Sequence, residues 1–366
     1  MKSADVQDTV WMRYALGLAR RGLGRVAPNP SVGCVLVRDN RLLGAARTAD
    51  GGRPHAEAGA LSRAGDTARG ATAYVTLEPC VNRKTGPSCS ELLAEAGVER
   101  VVIGCRDANP EINGRGIEAL KQAGIKVTEG FMEDAARRLN TGFFLSRTAA
   151  RPLIALKTAT SLDGKIALSN GASQWITGPR SRRAGHILRA AHDAVLTGIG
   201  TVLADDPQMT PRLPGSRTHS TIRIVLDGSL RMTPDMKLFQ DVARNPLWVV
   251  TDPGCAETPQ ARDILHAGAE IIPHDTRDLP GLLKDLAGRG LTRILVEAGP
   301  RLQTGFFTAG LFDRLYWFRG SCVIGADGQD AFGRLGLESM DNVPFLPRTY
   351  VKKIDSDTLE IFERPG

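Results

Sequence analysis

The chain has 366 residues, 42% of them hydrophobic and 24% charged, which excludes a disordered or fibrous protein and suits two compact domains better than a single core. Six cysteines, at 34, 80, 89, 105, 255 and 322, are too few and too scattered for a disulfide framework, so reduced thiols and one metal site are expected. A net charge of +7 dispersed along the chain, with 5% aromatic residues, argues against a nucleic-acid surface and is met equally well by phosphate-bearing small substrates.

The N-terminal stretch MKSADVQDTVWMRYALGLARRG carries scattered charges and lacks an apolar h-region, and no later run approaches a membrane span, so a cytoplasmic protein with no membrane partner is expected. Residues 9–21 read as an amphipathic helix with Trp11, Ala15, Leu18 and Ala19 on one side. The apolar run 31–38 reads as a strand, 55–64 as a helix, 71–77 as a strand and 90–96 as a helix. The pattern continues with a strand at 100–104, a helix at 117–123 and a strand at 125–129. Small and basic residues at 146–152 then interrupt the periodicity. Beyond the break, strands are expected at 153–158, 193–198, 222–227, 247–251 and 293–297, with helices at 181–190, 279–289 and 302–309. Alternating strands and helices predict layered α/β architecture in two domains, 1–147 and 152–366.

Three metal-ligand types stand in His55-Ala56-Glu57 and in Pro79-Cys80, followed eight residues later by Cys89. One imidazole and two thiolates leave a tetrahedral zinc ion one open position for water, whose pKa the metal lowers to about 7. Glu57, two residues beyond a ligand at a helix start, stays off the metal and is placed to shuttle protons, the division of labour in zinc-dependent nucleobase deaminases. Both cysteines are expected at or near the helix start at Ser90, which favours thiolates. Taken alone, His-x-Glu is an ordinary helix turn, a single cysteine is a small core residue, and the wide Cys80–Cys89 spacing also suits a structural zinc. Only the combination points to chemistry.

PNPSVGCVLV (28–37), GGRPHAE (51–57), ATAYVTLEPC (71–80), ELLAEAGVERVV (91–102), DANP (107–110) and GRGI (114–117) resemble the bifunctional riboflavin-biosynthesis deaminase/reductase family. The resemblance implies a cytidine-deaminase-like three-layer domain acting on a diaminopyrimidinone that carries ribosylamine 5′-phosphate, with Asn29 contacting the base. The chain departs from the family between its cysteines, in VNRKTGPS (81–88). Asn82 stands there for a His, Thr85 for a basic residue, and Thr48 elsewhere for another frequent His. Arg83 and Lys84 are neighbouring replacements for the missing charge.

In the second half, Gly198 and Gly200 follow an apolar strand, but the third glycine of a dinucleotide fingerprint is missing, which argues against a Rossmann loop. EAGPRLQTG (297–305) ends a strand and leads through glycines and Pro300 into a helix, either an ordinary turn or an anion site for a pyrophosphate. Asp205-Asp206 reads as a carboxylate pair or, before Pro207, as a turn cap. In order, LKTATSLDGKIA (156–167), SQWITG (173–178), DAVLTGIGTVLADDPQMTPR (193–212), IRIVLD (222–227) and ILVEAGPRLQTG (294–305) are similar to the reductase half of the same family. This likeness implies a dihydrofolate-reductase-like domain using NADPH. It implies cofactor contacts at Ala159, Trp175, Thr201, Asp205, Gly228, Gly299, Pro300, Arg301, Leu302 and Gly305. The substrate would meet Ser173, Arg189, Met209, Arg212 and Glu297, the two arginines clamping its phosphate. Lys157 and Asp205 are the candidate proton donors.

The family likeness implies a bifunctional enzyme, a dimer or tetramer, that deaminates 2,5-diamino-6-ribosylamino-4(3H)-pyrimidinone 5′-phosphate and then reduces its ribosyl group to ribityl. Two alternatives differ in class. One is a deaminase of another aminopyrimidine or a pteridine, with a retained reductase-like domain. The other is an RNA-editing deaminase, which would cluster basic and aromatic residues more than this chain does. A zinc that only staples a binding module is a further possibility, separated by replacing Glu57.

Overall fold

The computed structural model describes residues 3–83, 86–214 and 220–365. The chain divides into two compact units, Met1–Arg151 and Pro152–Gly366.

In the first unit the elements are α1 (Ser3–Arg20), β1 (Gly33–Arg38), β2 (Arg41–Arg47), α2 (Ala56–Ala64), β3 (Thr72–Leu77), α3 (Cys89–Glu95), β4 (Arg100–Cys105), α4 (Arg115–Gln122), β5 (Lys126–Thr128), α5 (Glu133–Leu139) and α6 (Thr141–Thr148). The five strands lie in the order β2-β1-β3-β4-β5. β1 runs antiparallel to β2 and β3, while β3, β4 and β5 are parallel. Strand side chains alternate between two faces, and two glycines show what covers each. A side chain at Gly33 would collide with the Ala15 carbonyl of α1, and one at Gly44 with the Ala60 carbonyl of α2. Gly44 opposes Leu36, so α2 lies on the Cys34–Leu36 face and α1 on the other. This is the three-layer α/β/α arrangement.

In the second unit the elements are β6 (Leu153–Thr160), β7 (Lys165–Ala167), α7 (Pro179–Ala190), β8 (Ala194–Gly198), α8 (Ile199–Asp205), β9 (Ile222–Leu226), β10 (Leu247–Thr251), α9 (Pro259–His266), β11 (Glu270–Pro273), α10 (Leu279–Gly288), β12 (Arg293–Val296), α11 (Pro300–Thr308), β13 (Arg314–Arg319), β14 (Gln329–Asp330), β15 (Arg348–Ile354) and β16 (Asp357–Glu363). A nine-stranded sheet runs β11-β10-β9-β8-β12-β6-β13-β16-β15, with β14 and β7 paired apart. The first seven strands in that order are parallel, and β16 and β15 continue antiparallel. Ile154, Leu196, Ile294 and Val296 pack with α10 and α11 on one face. Val195, Val225 and Val249 pack with α8 and α9 on the other. From β8 the chain proceeds through α8 to β9, whereas from β12 it proceeds through α11 to β13, in the opposite direction across the sheet. The loops after β8 and β12 therefore diverge to opposite faces, opening the crevice where ligands of such sheets bind.

Several sequence expectations shift here. The first helix begins at Ser3 instead of 9, and its neighbouring strand begins at Gly33 instead of 31. β2, α5, α6, β7, α8, α9, β11, β13, β14, β15 and β16 were not expected from the sequence, and the α6 helix runs through residues 146–148, where a break was expected.

Candidate active sites

In the first unit, three element ends converge. His55 is the N-cap of α2, in extended backbone with φ −65° and ψ 160°. Cys89 opens α3, whose N-cap Ser88 accepts the Glu91 N–H while the Glu91 carboxylate accepts from Ser88, a complete capping box. Cys80 follows β3 through Glu78 and Pro79 and is not itself at a helix start; its carbonyl accepts the Ser90 N–H at 3.2 Å. The His55 Nδ1 lies 3.3 Å from Cys89 Sγ and 3.5 Å from Cys80 Sγ. All three ligand atoms fall within 4.8 Å of one another.

Glu57, the second residue of α2, is 3% exposed. Burial pushes its carboxyl up to about 7, against the opposing pull of His55. The Cys80 thiol is driven down to about 4, chiefly because Cys89 and His55 hydrogen-bond to it. Cys89 is pushed far up by its bond to Cys80, by burial and by Glu57. The cluster thus holds one thiolate readily and resists the second. A divalent cation supplies the charge that lets both ionise, so the donor set fits a metal.

Asn29 is half-buried, and its amide lies against Gly52, where any side chain would collide with it. Gly52 has φ +90°, a conformation that also favours glycine. Thr48 is 1% exposed and committed to the backbone: it accepts the Val32 N–H at 2.9 Å and donates to the Pro30 carbonyl at 3.1 Å. It supports the loop beneath Asn29 and is no substitute for a ligand-binding histidine. Arg83 is exposed and pairs with Glu91. Lys84 and Thr85 lie outside the described residues.

Sequence reasoning missed Glu78. Its buried carboxylate accepts four backbone N–H groups, from Asp107 (3.2 Å), Gly114 (3.1 Å), Gly116 (2.9 Å) and Ile117 (3.3 Å). Backbone partners leave no side-chain signature, so only its place beside Pro79-Cys80 was available as a signal.

In the second unit, Glu297 directly follows β12 and gathers two cations. Arg189 on α7 donates from Nε at 2.6 Å and from Nη2 at 3.0 Å, and Lys157 Nζ lies 3.6 Å away. Burial would raise the Glu297 carboxyl, but Arg189 and Lys157 hold it at about 2. Arg189 Nη1 also donates to the Thr210 carbonyl at 3.3 Å. The following residue pair is tied to the same helix, since Arg212 N–H donates to His186 Nδ1 at 3.3 Å. Met209 is 3% exposed with φ +56°. The arginine clamp expected for a phosphate is therefore partly committed: Arg189 uses three of its five N–H donors on protein groups.

At the crevice between β8 and β12, Gly299 is the N-cap of α11 and Gly198 that of α8, and neither helix start has a side-chain cap. Gly299 N–H donates to Thr201 Oγ1 at 3.2 Å, joining the two loops. Pro300 occupies the first turn of α11, where its missing N–H costs nothing. Arg301 is exposed, and Leu302 and Gly305 are half-buried along the same helix. Gly228 follows β9 by two residues and lies against Asp252 and Thr276. Ala159 lies near the end of β6 beside Phe318 of β13. Trp175 is 66% exposed with the Arg182 guanidinium 4.2 Å above its ring, and Ser173 is half-buried nearby in sequence. Asp205 and Asp206 do not form a carboxylate pair for chemistry. Asp205 is exposed at the end of α8, while Asp206 is left-handed at φ 41° and accepts the Lys237 N–H at 2.8 Å, a turn cap.

Among known proteins, residues 5–105 match the cytidine and deoxycytidylate deaminase zinc-binding region, and residues 152–359 match the RibD C-terminal domain. The chain is 37% identical over 357 residues to the riboflavin biosynthesis protein RibD of Aquifex aeolicus (strain VF5), covering 98% of both chains. It is 38% identical over 366 residues to that of Escherichia coli (strain K12), covering 96% of this chain and 98% of the relative. Its fold is similar to Acinetobacter baumannii RibD, form 2, at TM-score 0.87 and 35% identity, covering 99% of each chain. It is also similar, at TM-score 0.88 and 35% identity over 99% of this chain and 100% of the other, to a diaminohydroxyphosphoribosylaminopyrimidine deaminase/5-amino-6-(5-phosphoribosylamino)uracil reductase from Thermotoga maritima. With the zinc-ligand cluster in one unit, the uncapped crevice in the other, and relatives spanning nearly its whole length, the chain belongs to the RibD family of bifunctional riboflavin-biosynthesis deaminase/reductases.

Proposed function

We propose that residues 1–147 deaminate 2,5-diamino-6-ribosylamino-4(3H)-pyrimidinone 5′-phosphate and that residues 152–366 then reduce its ribosyl group to ribityl with NADPH. The observation that carries this is the His55, Cys80 and Cys89 donor set within 4.8 Å, with a buried carboxyl of pKa about 7 beside it.

His55, Cys80 and Cys89 would hold zinc, which when bound supplies an open coordination position and acidifies water towards pKa ~7. Glu57 takes the proton from water, delivers it to the ring nitrogen next to the carbon under attack, and carries a further proton to the departing ammonia. A carboxyl held beside the metal without ligating it can take up and give back a proton, and a group so placed contributes roughly 10²–10⁴-fold. Asn29 binds the pyrimidine edge with its amide packed against Gly52.

In the second domain, two uncapped helix starts facing one crevice fit the diphosphate of a dinucleotide. Gly299, Pro300, Arg301, Leu302, Gly305 and Thr201 would line that diphosphate, with Ala159, Trp175, Asp205 and Gly228 along the remaining length of NADPH. NADPH supplies the two electrons of the reduction. Ser173, Arg189, Met209, Arg212 and Glu297 hold the substrate, Arg212 and the two uncommitted N–H groups of Arg189 meeting its phosphate. The protein acts on this small molecule as a homo-oligomer, a dimer or tetramer. Among the described residues no helix is long and apolar enough to cross a membrane.

Zinc-loaded protein incubated with the diaminopyrimidinone substrate tests both steps by mass. Replacement of an amine by oxygen without NADPH, then a gain of two hydrogens with it, is the expected result. No mass change in the first step would redirect the site to another aminopyrimidine or a pteridine.

A further inference from the structure

The Glu78 carboxylate offers about four lone-pair positions, and all four meet backbone N–H groups of the segment 107–117. Three of those donors, on Gly114, Gly116 and Ile117, belong to the N-cap and first turn of α4, whose donors lack intrahelical partners and whose own N-cap has no side chain to serve them. The carboxylate thus caps a helix that lies 36 to 39 residues further along the chain. The fourth donor, on Asp107, fixes the start of the loop that leads to α4, a loop also held by the Asn109 N–H donating to the Asp107 carboxylate at 2.8 Å.

The same contact reaches Cys80. Gly116 is packed so closely on the Pro79 carbonyl that a side chain there would collide with it. The Ser90 hydroxyl sits 3.3 Å from the Pro79 carbonyl, 3.2 Å from that of Cys80 and 3.5 Å from that of Gly116. Pro79-Cys80 is thereby gripped between the starts of α3 and α4, and Glu78 clamps α4 in place.

We propose that Glu78 is a positioning residue of the first site, setting the direction of Cys80 through the start of α4. The inference rests on the assignment of Cys80 as a metal ligand and not on the identity of the substrate.

Glu78→Gln keeps the shape but turns an amide NH₂ towards two backbone N–H groups. Gly116→Ala pushes α4 off Pro79 and keeps the carboxylate itself, though the new methyl also crowds Glu78. In the full-length protein, zinc affinity measured by competition with a chromogenic chelator is expected to fall about 10- to 100-fold for both variants, the range for outer partners of metal ligands. NADPH-dependent reduction of the deaminated substrate reports that the chain is folded and should stay at the wild-type rate. If Glu78→Gln fails to fold, Gly116→Ala and Glu78→Asp decide by the same titration. Zinc affinity within twofold of wild type, whatever happens to thermal stability, overturns the proposal and leaves Glu78 as a helix cap only. A wild-type protein that binds zinc but ignores the pyrimidine would refute the proposed function and leave this titration fully informative.

Discussion

Acidification from pH 7.5 to 5.0 should destabilise the second unit through a single side chain, His192. This imidazole is fully buried just before β8, and its Nδ1 donates to the Leu188 carbonyl at 2.7 Å. Its Nε2 is buried with no hydrogen-bond partner. Burial, followed by the charges of Arg293 and Arg314, holds its pKa at about 3. In the unfolded chain the ring takes up a proton near pH 6.5, so between about 6.5 and 3 the unfolded state binds the extra proton and stability rises with pH. The contribution is complete above 6.5 and is lost progressively towards 3. Taking those two values, the change from pH 7.5 to 5.0 amounts to about 2 kcal/mol, or a urea midpoint lower by about 1 M if the slope is about 2 kcal/mol per M. The assay is urea unfolding of the full chain at both pH values, beside His192→Gln, which keeps an N–H donor and does not titrate. Other titrating groups, His186 included, contribute to both proteins and cancel in the comparison. Parallel pH dependences in wild type and variant would refute the assigned burial of a neutral imidazole.

Glu57→Gln is expected to lower deamination by roughly 10²–10⁴-fold with zinc content and reduction unchanged; a variant with wild-type deamination would exclude Glu57 from the proton transfers. Gly52→Ala, at φ +90° and against the Asn29 amide, should raise KM for the pyrimidine about tenfold with little effect on zinc content. An unchanged KM would separate Asn29 from substrate binding. Glu297→Gln strips Arg189 and Lys157 of their shared partner and should cost about 3–5 kcal/mol in urea unfolding at pH 7. Because the folded carboxyl sits at about 2, below its ordinary range, that contribution is present above about 4.5 and vanishes towards pH 2. A wild-type advantage that persisted undiminished at pH 2.5 would count against the ion cluster.

What the sequence made legible divides along a physical line. His55, Cys80 and Cys89 were readable as a donor set because zinc chemistry needs particular atoms at the tips of particular side chains, and the fold brings their ligand atoms within 4.8 Å of one another. Buried strands such as β3, β6 and β10 were readable because an apolar run between breakers has few other uses. β15 escaped because it is an edge strand exposed along nearly its whole length, with no burial to impress a pattern on it. α5 and α6 escaped because they are short and meet at Asn140, whose side chain is turned inward to Ser31 instead of capping either helix.

The same line separates the two sites. The first is built from side chains, so a motif search reaches it, but its framework is fastened by Glu78 to four backbone N–H groups that any sequence would present. The second, as proposed, would rest largely on backbone: uncapped helix starts at Gly198 and Gly299, joined by one threonine hydroxyl. There a glycine reports only that space is required, which is why G-x-G at 198–200 looked like half of a different loop. The crevice became identifiable once the strand order placed β8 beside β12 and sent their helices to opposite faces, information that lies in the pairing of residues about a hundred positions apart.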